Sequence, residues 1–176
     1  MSSVRTVAPL RIGISRCLLG ENVRHDGGHK RDGFLIETLG PQVEWVPVCP
    51  EVEVGLGTPR EPMRLVGDPR APRLVTINTG VDHTDAMNRF APQRVREMEA
   101  LDLCGFIFKS DSPSCGIDGI PLLNTQGIET PDGVGLFARA FMEHFPLTPV
   151  EEEGRLHDPD ILKNFLERVL DYRKTR

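Results

Sequence analysis

Three cysteines of the chain each lie in a short, turn-rich motif that follows an apolar segment typical of a β-strand. The motifs are Ser-Arg-Cys-Leu-Leu-Gly around Cys17, Val-Cys-Pro-Glu around Cys49 and Ser-Pro-Ser-Cys-Gly around Cys115. If the three strands lie side by side in one parallel sheet, their carboxyl ends open into a single crevice, which is where open α/β sheets bind ligands. Three thiols that are distant in sequence would then converge, and this arrangement indicates a metal site.

The fourth cysteine, Cys104, precedes its predicted strand, so we expect its thiol at the opposite edge of the sheet, in the hydrophobic core. Disulfide bonds are the alternative use of four cysteines. The uneven spacing and the placement within motifs favour ligation or catalysis over a disulfide framework. A cytoplasmic location would also keep these thiols reduced.

The kind of metal follows from the number of thiols. Structural zinc usually takes four ligands, often from paired Cys-x-x-Cys motifs, and the sequence contains no such pair. Three scattered cysteines fit a cubane [4Fe–4S] cluster in which one iron has no protein ligand. An open iron is a Lewis acid that favours sulfur from a substrate, which suggests catalysis rather than electron transfer.

Glu51 follows Cys49 by two residues and would be held beside such a cluster. A carboxylate in that position can take a proton from water, which is the role of a general base. A cluster that serves only as a redox sensor needs no such carboxylate. The pair of residues therefore indicates a hydrolytic enzyme.

The size and composition of the chain predict one globular domain. It has 176 residues, of which 39% are hydrophobic and 27% are charged, and we expect a core at about residues 10–150 and a C-terminal helical extension at about 156–174. No apolar stretch approaches the roughly 20 residues of a membrane-spanning helix, and residues 1–8 lack the apolar region of a secretion signal. We therefore expect a cytoplasmic protein that does not enter the membrane.

The predicted elements alternate between strands and helices. Hydrophobic periodicity and capping residues predict strands at 9–15, 43–48 and 105–109, and helices at 32–39, 86–103, 134–145 and 158–173. Residues 52–72 are rich in Gly, Pro and Arg and are predicted to form a loop beside the crevice, followed by a short antiparallel edge strand at 73–78. The alternation predicts an α/β fold with a mainly parallel sheet that is flanked by helices, with the cysteines at the carboxyl ends of its strands.

Four motifs within residues 11–145 together match one protein family. They are Ile-Ser-Arg-Cys-Leu-Leu-Gly-Glu-Asn-Val-Arg at 14–24, Pro-Val-Cys-Pro-Glu at 47–51, Gly-Leu-Gly-Thr-Pro-Arg at 55–60 and Lys-Ser-Asp-Ser-Pro-Ser-Cys-Gly at 109–116. With these motifs the chain resembles the thiouracil desulfidases, long catalogued as a domain of unknown function.

The resemblance implies a [4Fe–4S] cluster held by the cysteines that match Cys17, Cys49 and Cys115, and a catalytic acid that matches Glu51. The implied reaction is hydrolytic. The thiocarbonyl of a thiolated pyrimidine binds the open iron, and water activated by Glu51 attacks the carbon, which converts thiouracil to uracil and sulfide.

Five further residues have implied roles in this site. Ser112 is assigned to catalysis, and Ser114 is expected to donate a hydrogen bond within the cluster loop and to contact the substrate. Arg24 and Lys109 are expected to orient the pyrimidine or stabilise its charge. Asp26 is expected to lie next to these substrate-binding groups.

Three functions remain open from the sequence. They are a desulfidase of free thiolated pyrimidines, a desulfidase of thiouridine in tRNA, and a non-enzymatic cluster or zinc protein that senses redox state. The net charge of −5 favours a small substrate over nucleic acid. Residues 5–31 are rich in basic side chains, however, and they keep thiolated tRNA open as a partner.

Overall fold

Two four-stranded β-sheets and the helices packed against them make up residues 8–176, the part of the chain that this computed structural model describes. The strands are β1 (Leu10–Ser15), β2 (Val43–Val48), β3 (Met63–Val66), β4 (Arg73–Thr76), β5 (Gly105–Phe108), β6 (Ile120–Leu123), β7 (Glu129–Gly133) and β8 (Val150–Glu152). The α-helices are α1 (Gly33–Leu39), α2 (Pro50–Glu53), α3 (Thr84–Glu97), α4 (Leu136–His144) and α5 (Pro159–Lys174). Short 3₁₀ turns cover Arg16–Leu19, Gly40–Gln42, Met98–Leu101 and Arg155–His157.

The first sheet has the strand order β2-β1-β5-β8, and all of its pairings are parallel. The central strand β1 lies between β2 and β5, with Ser15 opposite Val48 at the carboxyl edge. The three strands predicted to lie side by side therefore do so, and their carboxyl ends meet at one edge.

Helices cover both faces of the first sheet, as the sequence predicts. Phe106 and Phe108 of β5 pack against α3 and α4 on one face. Ile12 and Ile14 of β1 pack against α1 and α5 on the other, in a core that also contains the buried Cys104. This placement confirms Cys104 as a core residue and the mainly parallel α/β fold.

The second sheet differs from the sequence prediction. Its order is β4-β3-β6-β7, with β3 parallel to β6, and antiparallel pairs at β3 with β4 and at β6 with β7. The predicted loop at 52–72 thus contains a strand, β3, and the predicted edge strand β4 lies at the edge of this second sheet. A four-residue strand gains its stability from partners on both sides, so the composition of the segment did not indicate it.

Two helices, α1 and α5, begin at a capping aspartate, whereas α3 has His83 at its N-cap position and no side-chain capping bond there. The Asp32 carboxylate accepts the Leu35 amide at 3.1 Å before α1, and the Asp158 carboxylate accepts the first amides of α5. The predicted helix at 86–103 is shorter, because α3 ends at Glu97 and a 3₁₀ turn follows. Within residues 8–176, none of the helices combines the length and apolar character that crossing a membrane requires.

Candidate active site

A cavity of about 500 Å³ opens at the carboxyl edge of the first sheet, where the second sheet closes one side. The described residues that line it include Cys17, Cys49 and Cys115 but not Cys104. The three motif cysteines are thus brought together in space, and the fourth is kept apart. A cavity of this size is typical of a small-molecule site.

The local backbone places Cys17 and Cys49 directly after their strands. Cys17 lies in the 3₁₀ turn after β1, which Gly20 ends in the left-handed conformation at φ 92°. Cys49 lies at the N-cap position of α2 directly after β2, and its amide donates to Glu53 Oε1 at 3.4 Å. Its thiol donates to the Val23 carbonyl at 3.9 Å.

Cys115 lies in a loop that is fixed by side-chain and helix contacts. The Ser112 hydroxyl oxygen accepts the amides of Ser114 at 3.3 Å and of Cys115 at 3.0 Å. The Ser114 carbonyl accepts the amides of Phe137 and Ala138 at 3.0 and 3.1 Å. These amides belong to the first turn of α4 and have no hydrogen-bond acceptor within the helix. The loop therefore supplies acceptors for the helix terminus, and the helix in turn fixes the loop.

Gly135 permits this close docking and provides a test of it. A Cβ atom at Gly135 would lie 2.5 Å from the carbonyl carbon of Ser114 and 2.7 Å from the amide nitrogen of Cys115. The φ of −57° suits any residue, so the obstacle is steric. We expect Gly135→Ala to lower the free energy of unfolding by about 1–3 kcal/mol, which is the usual cost of overpacking.

The measurement is urea unfolding of the cluster-free protein. Gly154→Ala is the matched control, because Gly154 has helical backbone angles and no atom of residues 8–176 lies within 4 Å of a Cβ built there. That variant should be unchanged or stabilised by about 0.4–1 kcal/mol. Equal stability of the two variants would contradict the docking of the loop on α4.

The three cavity thiols share an electrostatic environment that opposes ionisation. Burial raises the pKa of Cys17 to about 11 and also raises the pKa of Cys49. Burial raises the pKa of Cys115 well above its ordinary value, and the neighbouring Cys49 and Cys17 add to the effect. A metal that binds thiolate must therefore displace protons from all three, as is usual for thiolate sites.

Glu51 lies on the cavity wall with both carboxylate oxygens engaged. The Ser114 hydroxyl donates to Oε1 at 2.8 Å, Arg60 Nε donates to Oε2 at 2.8 Å, and Arg60 Nη2 forms an ion-pair contact with Oε2 at 2.5 Å. The side chains of Glu51 and Arg60 are 13% and 9% exposed. Sequence reasoning assigned no role to Arg60, although it ends one of the quoted motifs.

Lys109 borders the cavity, but its ammonium group is engaged. It donates to Glu153 Oε1 at 2.6 Å, to the Ser110 carbonyl at 2.9 Å and to the Ser110 hydroxyl at 3.0 Å. An ammonium group has three N–H donors, so a substrate contact would replace one of these bonds. Lys109 and the buried Glu153 instead fix the start of the loop that leads to Cys115.

Arg24 and Asp26 form an ion pair, with Nε of Arg24 3.7 Å from Oδ1 of Asp26, but of the two only Arg24 lines the cavity. Arg24 lines the cavity, and its Nε is buried without a hydrogen-bond partner among residues 8–176. Asp26 lies in an exposed turn, where its carboxylate accepts the Gly28 amide at 2.9 Å, a bond that lowers the pKa of Asp26. Asp26 is not among the described residues that line the cavity.

The cavity has walls of two kinds. Cationic and imidazole side chains, including Arg16, Arg24 and His25, lie on one side, while Met63 and Ile77 contribute apolar surface from the second sheet. Sequence reasoning missed the apolar residues because it did not predict the second sheet. An apolar surface with a few polar groups suits a planar heterocycle.

The fold and the cavity together define an α/β protein with three thiols and a carboxylate gathered at the carboxyl edge of a parallel sheet. Comparison with known proteins identifies the family. The model of the 2-thiouracil desulfurase family matches residues 12–153, and the protein belongs to this family. The resemblance inferred from the motifs is confirmed.

Two known proteins are similar to the chain. The solved structure of a [4Fe-4S]-dependent thiouracil desulfidase, TudS, superimposes with a TM-score of 0.68 at 30% sequence identity, covering 88% of this chain and 98% of that chain. The uncharacterized protein YbbK of Bacillus subtilis (strain 168) is 30% identical over 108 residues, which are 58% of this chain and 71% of YbbK.

Proposed function

We propose that the protein is a desulfidase that converts thiolated uracil to uracil and sulfide, with a [4Fe–4S] cluster held by Cys17, Cys49 and Cys115. Family membership and the similarity to a solved [4Fe-4S]-dependent thiouracil desulfidase support this activity. The observation that carries the proposal is the convergence of three buried thiols and Glu51 on one cavity.

The donor set fits a cluster better than a single ion. Three soft thiols line the cavity, one fewer than the four ligands of a structural zinc. A single zinc needs all of its thiolates at about 2.3 Å. An iron–sulfur cluster is larger and takes one thiolate at each of several irons.

When bound, such a cluster supplies a Lewis-acidic iron without a protein ligand, which polarises a thiocarbonyl. Glu51 accepts a proton from the water whose oxygen bonds to the pyrimidine carbon. Ser114 and Arg60 hold its carboxylate for this task, and Ser112 holds the amides of the cysteine loop. One water thus converts C=S to C=O with release of hydrogen sulfide and no net electron transfer.

The remaining cavity residues bind and orient the pyrimidine. Arg24 is proposed to donate to its oxygen or sulfur, because it lines the cavity and its Nε, 3.7 Å from Asp26 Oδ1, makes no hydrogen bond with residues 8–176. Met63 and Ile77 are proposed to pack against the ring from the apolar wall.

The direct test is anaerobic reconstitution followed by incubation with 2-thiouracil or 4-thiouracil. We expect uracil and sulfide in equal amounts from the cluster-loaded protein and none from the cluster-free protein. A fully loaded protein that releases no sulfide from either compound would refute the proposal for free bases. Thiolated tRNA is the second candidate because of the cationic cavity wall, and its binding should weaken steeply with salt.

Arg24→Ala tests the proposed substrate contact. We expect kcat/KM to fall by roughly 10- to 100-fold, since a hydrogen bond to a charged group contributes about 1.5–3 kcal/mol. Cluster content should stay at the wild-type level, and Arg89→Ala, at an exposed position of α3, serves as the control. Wild-type kcat/KM in Arg24→Ala would contradict the proposed contact between Arg24 and the substrate.

A further inference from the structure

Arg60 connects three segments that border the cavity. Its sequence motif does not indicate these contacts. It follows the Gly-Leu-Gly-Thr-Pro loop, and its guanidinium lies between Glu51 and the carbonyls of Val23 and Gly57. We propose that Arg60 is a positioning residue that fixes the Glu51 carboxylate in the orientation required for proton transfer. This inference rests on the general-base role proposed for Glu51.

The hydrogen bonds to Glu51 constrain it from two sides. Arg60 binds Oε2 through two nitrogens, and Ser114 binds Oε1, so the two oxygens have different partners. Rotation of the carboxylate would break both sets of bonds. A pair of this kind fixes orientation as well as charge.

Arg60 is itself anchored independently of Glu51. Its Nη1 donates to the Val23 carbonyl at 2.9 Å and to the Gly57 carbonyl at 2.8 Å, and its backbone amide donates to the His25 carbonyl at 2.8 Å. Together with the Nε bond to Glu51, these contacts engage three of the five guanidinium N–H donors. Arg60 is therefore a structural support, in contrast to Arg24, whose Nε lies 3.7 Å from Asp26 Oδ1 and makes no hydrogen bond within the described chain.

One acceptor links this support to a thiol. The Val23 carbonyl that accepts from Arg60 also accepts from the Cys49 thiol at 3.9 Å. The guanidinium thus sets the position of Glu51 relative to the segment that borders Cys49. A lysine at position 60 would keep the charge but lose the planar fork that reaches Glu51 and Val23 together.

A double-mutant cycle separates positioning from general structural support. Cluster-loaded Arg60→Gln should show kcat reduced by about 10²-fold, which is the scale for misplacing a catalytic group, with KM changed less than about 3-fold. In a Glu51→Gln background, Arg60→Gln should reduce kcat by less than about 3-fold, because its effect acts through Glu51. Arg73→Gln is the matched control, since Arg73 forms a similar Nε bond to Asp82 at the surface.

The same four proteins without cluster provide a readout other than activity. Urea unfolding should show that Arg60 and Glu51 are coupled. The folding equilibrium constant of the double variant should be at least about 10-fold higher than the value expected if the two single substitutions acted independently. If Arg60→Gln does not fold, Arg60→Lys replaces it, with an expected loss of about 10-fold in kcat.

The outcomes distinguish this inference from the proposed function. If the loaded wild-type protein releases no sulfide, the proposed function fails, and the unfolding cycle alone decides whether Arg60 holds Glu51. Multiplicative losses of kcat in the double variant, wild-type kcat in Arg60→Lys, or the absence of coupling in the cluster-free protein would each overturn the positioning role.

Discussion

Replacement of Cys17, Cys49 or Cys115 by alanine is expected to abolish both the cluster and the release of sulfide. Each thiol lines the same cavity, and each lies on a different segment after the first sheet. Loss of one leaves two donors, which is too few to hold a cubane that already has one iron without a protein ligand. The measurement is iron and acid-labile sulfide per protein after anaerobic reconstitution, together with visible absorbance and turnover of thiouracil.

Cys104→Ala is the matched control for these variants. Cys104 is buried, as Cys49 and Cys115 are, but it lies in the core on the far side of the first sheet, among Leu156 and Phe165. The variant should lose some stability and keep its full cluster and activity. A complete cluster in any of the three cavity variants, or loss of the cluster in Cys104→Ala, would contradict the proposed ligand set.

Glu51→Gln is expected to keep the cluster and the fold but to lose turnover by roughly 10²–10⁴-fold, the range for removal of a positioned acid–base group. The amide oxygen can still accept from the Ser114 hydroxyl, while the ion pair with Arg60 is lost. What is lost is the capacity to take a proton from water. Steady-state sulfide release, normalised to iron content, measures the effect.

The control for Glu51→Gln must remove a carboxylate without disturbing a thiol. Glu53 is unsuitable, because its carboxylate accepts the Cys49 amide and pairs with Arg94 at 2.8 Å. Glu129→Gln, at an exposed position of β7, removes the same charge away from the cavity and should turn over normally. Wild-type sulfide release by Glu51→Gln would exclude the general-base role.

Three strands of the first sheet were predictable because they are apolar runs that end in turn motifs, whereas β8, with the sequence Val-Glu-Glu, was not predicted. The strands β1, β2 and β5 share this pattern. Helices cover both faces of the sheet, so the apolar composition of these strands agrees with their burial. The second sheet was not predictable in the same way. Its strands are four or five residues long, and β7 has the sequence Glu-Thr-Pro-Asp-Gly, whose propensities favour a turn.

The site shows the same division between local and non-local information. The cysteines and Glu51 stood out because each lies in a motif next to a predictable strand. Asp26 was assigned to the substrate-binding groups, whereas its carboxylate accepts an amide of its own turn and pairs with Arg24. Arg60 could not be assigned a role, because its contact with Glu51 depends on how the intervening loop folds back.

The two walls of the cavity come from different sheets, and this separation bears on how the protein can change over time. The thiols and Glu51 follow strands of the first sheet, whereas Met63 lies in β3 of the second sheet and Ile77 directly follows its strand β4. Substitutions in β3 and β4 can reshape the surface that meets the substrate without moving the reactive groups. Natural selection or protein engineering can therefore change the residues of the second sheet toward other thiolated substrates while the thiols and Glu51 are preserved.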